Sequence, residues 1–200
     1  QKAYDRAIET LNAFQSRGLP APVSGGPDPK GHHHPEIYFT LGTCHLLKND
    51  YQSAIRAFEQ ALKQAPAHTS AWLNLAKAAY EFKDYVKAGH AFAQAYENAP
   101  KKNPEQLYYS AIAYLMARRS EPSITAFEKL FKNHADCLTP AWRENFVHAL
   151  LSADLARRAL PHIRLLAEQY ADEKKVRWQE ILLHQYMQLD MREQARIYAL

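Results

Sequence analysis

Two consecutive stretches of 34 residues carry the reading: 35–68, PEIYFTLGTCHLLKNDYQSAIRAFEQALKQAPAH, and 69–102, TSAWLNLAKAAYEFKDYVKAGHAFAQAYENAPKK. Laid one over the other, Tyr38 meets Trp72, Leu41 meets Leu75, Gly42 meets Ala76 and Ala54 meets Ala88. Phe58 then meets Phe92, Ala61 meets Ala95 and Pro66 meets Pro100, each pair 34 positions apart. Within the first stretch Tyr38, Leu41, Gly42 and His45 recur at helical spacing, and so do Ala54, Phe58, Ala61 and Leu62. Asn49 and Asp50 interrupt the apolar pattern, Asp50 is placed to cap the second helix, and Pro66 stops it. Small residues at Gly42 and Ala54 let the two helices approach closely. Each stretch therefore predicts a helical hairpin, with Asp84 at the turn of the second and Pro100 at its end.

The pattern extends outward with decreasing fidelity. A third unit, slipped by one residue, begins at Pro104 with Leu107, Ala111, Tyr114, Ser123 and Phe127, and Leu130 stands where alanine is expected. Pro104 and Pro122 suit first turns of helices. A fourth unit opens on Thr139 and Pro140 and continues through Trp142, Phe146, Leu150, Ala159, Ile163, Leu166 and Tyr170. Its Pro161 must lie in early turns or kink the helix. A fifth unit, from about 176, carries Leu182, Leu183, Tyr186 and Ala195. Before all of these, Tyr4, Ala7, Leu11 and Phe14 match the spacing of a second helix. The resulting division is a half-repeat over 1–16, a Gly/Pro/His-rich loop over 17–34, three repeats over 35–137, and divergent hairpins over 138–200 with the last one cut short. A loop as long as 17–34 is expected to be functional or disordered.

The period, and the order aromatic, Leu, small residue, then Ala, Phe, Ala and Pro, resemble the tetratricopeptide repeat. The resemblance implies an all-α solenoid of stacked antiparallel helix pairs wound into a right-handed superhelix, whose first helices line a concave groove. It implies a partner site at the second, fifth, ninth, twelfth and thirteenth positions of each unit. Carried onto this chain, the partner-binding set is Phe39, Thr43, Leu46, Leu73, Lys77, Tyr80, Tyr108, Ile112 and Leu115. The same positions also hold Glu36, Leu47, Ser70, Glu81, Glu105 and Met116. The family's carboxylate clamp is not expected: Phe39, Thr43, Glu105 and Tyr109 replace its Lys, Asn and Arg residues, and only Asn74 matches. The stretch from Trp178 to Leu189 is similar to late repeats of bacterial tetratricopeptide proteins that accompany TonB-type transport, which implies an envelope-associated setting.

Charge and composition narrow the function classes. The formal charge is +4, from 25 basic and 21 acidic residues with both signs spread along the chain, so no nucleic-acid partner is expected. The 12 tyrosines are read as helix packing. Basic pairs at Lys101-Lys102, Arg118-Arg119, Arg157-Arg158 and Lys174-Lys175 fall near helix ends, where cations are favoured. No run reaches the length of a membrane span, so no direct membrane insertion is expected of this segment. Cys44 and Cys137 lie almost three repeats apart and are not expected to pair. They leave the compartment open, periplasmic by the resemblance or cytoplasmic. The chain reads as beginning and ending inside repeats.

Candidate chemistry is sparse. Neighbouring side chains of His32, His33 and His34 point apart on an extended loop, and no zinc-type spacing supports them. No metal site is assigned, and a metal-binding module is kept as an alternative. His148 and His162 are placed to face one another across the fourth hairpin. Glu144, Asp154 and Glu168 sit on separate turns, and there is no Gly-rich phosphate loop. Neither catalysis nor a cofactor is expected. The sequence reads as a protein–protein interaction scaffold that holds a peptide or partner protein. The competing reading is a structural or oligomerising module whose groove is filled by its own N-terminal residues or a neighbouring chain.

Overall fold

A computed structural model describes residues 2–17, 35–171 and 173–198. Among them are α1 (Lys2–Arg17), α2 (Pro35–Leu47), α3 (Tyr51–Gln64), α4 (Thr69–Glu81), α5 (Tyr85–Asn98) and α6 (Pro104–Met116). There follow α7 (Ser120–Asn133), a 3-10 turn (Ala135–Cys137), α8 (Pro140–Ser152), α9 (Ala156–Gln169), α10 (Glu173–Gln188) and α11 (Arg192–Tyr198). The described residues contain no strand, and the expected all-α array of helix pairs is what forms. The chain divides into two compact units, Gln1–Ala113 and Tyr114–Leu200, with the division inside α6. Apart from Arg17, which closes α1, the expected loop 17–34 lies outside the described residues.

In the first unit α2 packs on α3, α3 on α4, α4 on α5, and α1 lies against α2. Small residues make this possible. Ala54, Ala71, Ala76, Ala79, Ala88 and Ala113 are fully buried around Phe58, Leu75 and Phe92. Gly42 is the tightest of these contacts: a Cβ built there would stand 2.7 Å from the Phe58 ring. A helix can tolerate a glycine, at about 1 kcal/mol relative to alanine, where its neighbour needs the space. Cys44 is buried, and burial pushes its thiol up. Asp5 of α1 pairs with Lys48.

The hairpin turns share one geometry. Asn49, Lys83, Arg118, Asp154 and Asp190 all have positive φ, between 55 and 65°. The residue after each donates its N–H five positions back: Asp50 to His45, Asp84 to Ala79, Arg119 to Tyr114, Leu155 to Leu150 and Met191 to Tyr186. This is the Schellman closure, which satisfies carbonyls at a helix end and reverses the chain within three residues. In the first two hairpins the closing residue is also the next helix's N-cap, since Asp50 and Asp84 accept from the N–H groups of Ser53 and Lys87. The cap read from the sequence at Asp50 is thus realised, and Asp84, read as a turn residue, caps its helix as well.

In the second unit α7 packs on α8, α8 on α9, α9 on α10, and α10 on α11. Its core is larger-grained. Phe127, Leu130, Val147, Leu150, Ile163, Leu166, Leu182 and Tyr186 are buried almost completely. The Phe127 and Phe146 rings lie 5.4 Å apart. Thr139 caps α8 by accepting from the Trp142 N–H, and Pro140 opens that helix. Pro161 sits within α9 in its second turn, where it removes a single backbone bond.

Candidate functional site

A cleft of about 500 Å³ opens on the first unit between α4, α5 and α6. Its walls follow from helical spacing. On α4, Leu73, Lys77, Tyr80 and Glu81 recur at four, seven and eight residues, one face of the helix. The other face, with Ala71, Leu75, Ala78 and Ala79, is buried in the core. On α6, Glu105, Tyr108, Tyr109 and Ile112 border the cleft, while Leu107, Ser110 and Ala111 point inward. The Ser110 hydroxyl donates to the Gly89 carbonyl at 2.8 Å and ties α6 to α5. Phe92 of α5 and Asn103 complete the lining.

Aromatic rings dominate the surface. The Tyr109 ring lies 5.6 Å from that of Phe92 and 5.6 Å from that of Tyr108. Tyr80 meets Tyr85 edge-on at 5.4 Å. Lys77, Glu81 and Glu105 are exposed at the cleft. Asn103 accepts from the Glu105 N–H at 3.0 Å and shapes the start of α6. One polar group stands out: Gln106 borders the cleft, is 8% exposed, and its buried Oε1 has no hydrogen-bond partner among the described residues. An unsatisfied buried acceptor costs about 1–3 kcal/mol.

Of the residues expected at the partner site, Leu73, Lys77, Tyr80, Tyr108 and Ile112 line this cleft. Phe39, Thr43 and Leu46 lie on α2 outside its lining. The Phe39 ring sits 4.8 Å from His68 and 6.0 Å from Phe58. The Thr43 hydroxyl donates to the Phe39 carbonyl, and Leu46 packs against the core. Leu115 belongs to the second unit. Phe92, Gln106 and Tyr109 were not among the expected site residues. Phe92 aligns with the core residue Phe58, so repeat logic hides it. Gln106 did carry a signal: its register partners are Ile37 and Ala71, both buried and apolar.

The other candidates resolve into packing. His148 and His162 do not face one another. The His148 ring lies by Trp178 at 6.3 Å, and His162 lies 4.8 Å from Phe146, with Arg143 Nη1 3.1 Å from its Nδ1. The helical phase turns one histidine toward α10 and the other back into its own hairpin. Among the described residues no three His, Cys, Asp or Glu side chains converge, and His32–His34 lie outside them. Three of the basic pairs are partly spent on bonds within the chain: Lys102 donates to the carbonyls of Tyr96 and Glu97, Arg158 pairs with Glu128, and Lys174 pairs with Glu144. No helix among the described residues is long and apolar enough to cross a membrane.

Comparison with known proteins bears on the same region. Residues 33–103 match the family described as tetratricopeptide repeat. This stretch is similar to tetratricopeptide repeats. Solved structures extend the likeness over the rest of the chain. YrrB, described as a tetratricopeptide protein with an unusual peptide-binding site, is 14% identical with a TM-score of 0.58, over 98% of this chain and 88% of its own. MamA from Desulfovibrio magneticus RS-1 is 19% identical with a TM-score of 0.53, over 82% and 84%. The complex of Naa15 and Naa10 bound to HypK-THB gives a TM-score of 0.68 at 14% identity, over 99% of this chain but 28% of that one. No curated protein matches the sequence. Identities this low speak to fold alone, and the fold is the tetratricopeptide type of antiparallel helix pairs.

Proposed function

We propose that the tetratricopeptide array is a protein-interaction scaffold whose cleft between α4, α5 and α6 holds a segment of a partner protein. The observation that carries this reading is the partly exposed apolar and aromatic lining, Leu73, Tyr80, Tyr108 and Ile112, around about 500 Å³ of open space. Surface of this kind is costly to leave in water and is typical of recognition sites. Apolar anchors of an extended or helical segment fit it, and Lys77 supplies a polar contact at its edge. YrrB's described peptide-binding site and the complex of Naa15 with HypK give precedents for partner capture on this fold. An envelope setting rests only on the resemblance of the segment from Trp178 to Leu189. No catalytic role is assigned, in keeping with the generally non-catalytic character of such scaffolds.

The test is capture of a partner by the intact chain from its own organism, followed by affinity measurement with the Tyr80→Ala/Tyr108→Ala variant. Aromatic residues at such sites act as hot spots worth about 2 kcal/mol or more on truncation. The variant should bind at least about tenfold more weakly, with helix content by circular dichroism unchanged. Unaltered affinity in the folded variant refutes the site.

A further inference from the structure

Resting on that reading, we infer that the partner segment enters the cleft with an arginine side chain. Three independent features of the lining converge on a guanidinium. The first is Gln106, a polar residue at a register position that is apolar in the two preceding hairpins, with a buried Oε1 that has no donor among the described residues. A glutamine in such a slot lowers stability unless something donates to it. Rotation about its last side-chain bond, a soft torsion, turns the oxygen toward a donor held in the cleft.

The second feature is charge. Glu81 on α4 and Glu105 on α6 both border the cleft, and Lys77 is the single cation among the described residues of the lining. Among the described residues none of the three takes part in an ion pair. Two carboxylates against one ammonium leave the lining negative at neutral pH. The third feature is the cluster of rings, Tyr80, Phe92, Tyr108 and Tyr109, whose faces attract a cation.

A guanidinium meets all three together. It is planar and stacks on aromatic faces, it carries a fixed charge, and it has five N–H donors and no acceptor. A purely apolar anchor uses the rings but leaves Gln106 and both carboxylates without partners. An acidic segment is opposed by Glu81 and Glu105 and answered only by Lys77. Lys77 instead takes a carbonyl or carboxylate of the same segment beside the arginine.

The experiment uses randomised dodecapeptides displayed on phage, selected against the intact chain, followed by fluorescence anisotropy of the enriched peptide. Arginine should be enriched at one position next to an aliphatic or aromatic residue. Replacing that arginine by citrulline, which keeps the shape and removes the charge, should weaken binding at least tenfold. In the Glu81→Gln/Glu105→Gln variant, both positions being exposed, the citrulline penalty should shrink below threefold. Gln106→Leu should lower affinity for the arginine peptide without lowering the melting temperature. Enriched peptides that need Tyr80 and Tyr108 but lack arginine, or that bind equally as citrulline, overturn the inference and leave the groove reading intact. Binding that ignores the Tyr80→Ala/Tyr108→Ala change, or no enrichment at all, overturns both.

Discussion

At the scale of single residues, the most consequential group outside the cleft is His162. It is wedged between Phe131 and Phe146, with rings 5.6 and 4.8 Å away, and Arg143 supports the same cluster by lying over the Phe131 ring at 5.3 Å. Burial, and then the Arg143 charge, push its pKa down from 6.5 to about 4. A histidine depressed on folding binds fewer protons in the native state than in the unfolded one between those two values. Its contribution is fully present above about pH 6.5 and is lost as the pH falls toward about 4. The melting temperature should therefore drop across that window, and His162→Gln should flatten the drop. A thermal melt series from pH 7.5 to 4 in both proteins checks this, and parallel curves would contradict it. The sequence showed a histidine in a helix here, but only packing reveals that a cation and two rings hold it neutral.

Among elements, the informative object is the repeated hairpin turn. Five consecutive hairpins close through a left-handed residue, yet none of the five is glycine: they are Asn49, Lys83, Arg118, Asp154 and Asp190. Outside glycine, asparagine and aspartate this conformation costs roughly 1–2 kcal/mol. The closure persists because each turn satisfies carbonyls at the end of a first helix and, at Asp50 and Asp84, caps the next one. Lys83 is exposed, so its side chain can be changed with little effect on packing. Lys83→Gly should raise stability by about 0.5–1 kcal/mol, and Lys83→Val should lower it by a similar amount or more, because a β-branched residue resists positive φ. Urea unfolding of the three proteins measures the order, and a glycine variant weaker than the parent would contradict the strain argument. The chemistry of Asp50 marks it as a cap in the sequence, and Asp84 stands at the equivalent turn. Sequence inspection misses the cap of α4, where His68 Nδ1 accepts from the Ala71 N–H, since histidine is not a usual capping residue.

On the scale of the molecule, stability is distributed as in other repeat proteins, through each hairpin and its immediate neighbours. Phe58 is wholly buried and touches Gly42 and the core built from α3, α4 and α5. Phe58→Ala should cost about 3–5 kcal/mol and act locally. Hydrogen exchange should quicken for amides of α3 and α4 in the first unit, while α8, α9 and α10 of the second keep their protection. Uniform loss across both units would show that the chain unfolds as one cooperative body.

Local chemistry was enough to establish the helices, their pairing and several of their caps. A 34-residue period of large and small apolar residues can bury itself only by stacking hairpins, and prolines and aspartates mark the ends within a few residues. The lining of the candidate cleft was legible in part, because Leu73, Lys77, Tyr80, Tyr108 and Ile112 occupy faces that helical phase alone assigns. Tertiary structure decided the rest. Phe39, Thr43 and Leu46 share that phase but lie outside the cleft, with Phe39 against Phe58 and His68. Gln106, polar in an apolar register, has meaning only once its oxygen is found buried and without a donor. Phase places a side chain on a face of its own helix, whereas what stands opposite that face depends on how neighbouring helices pack.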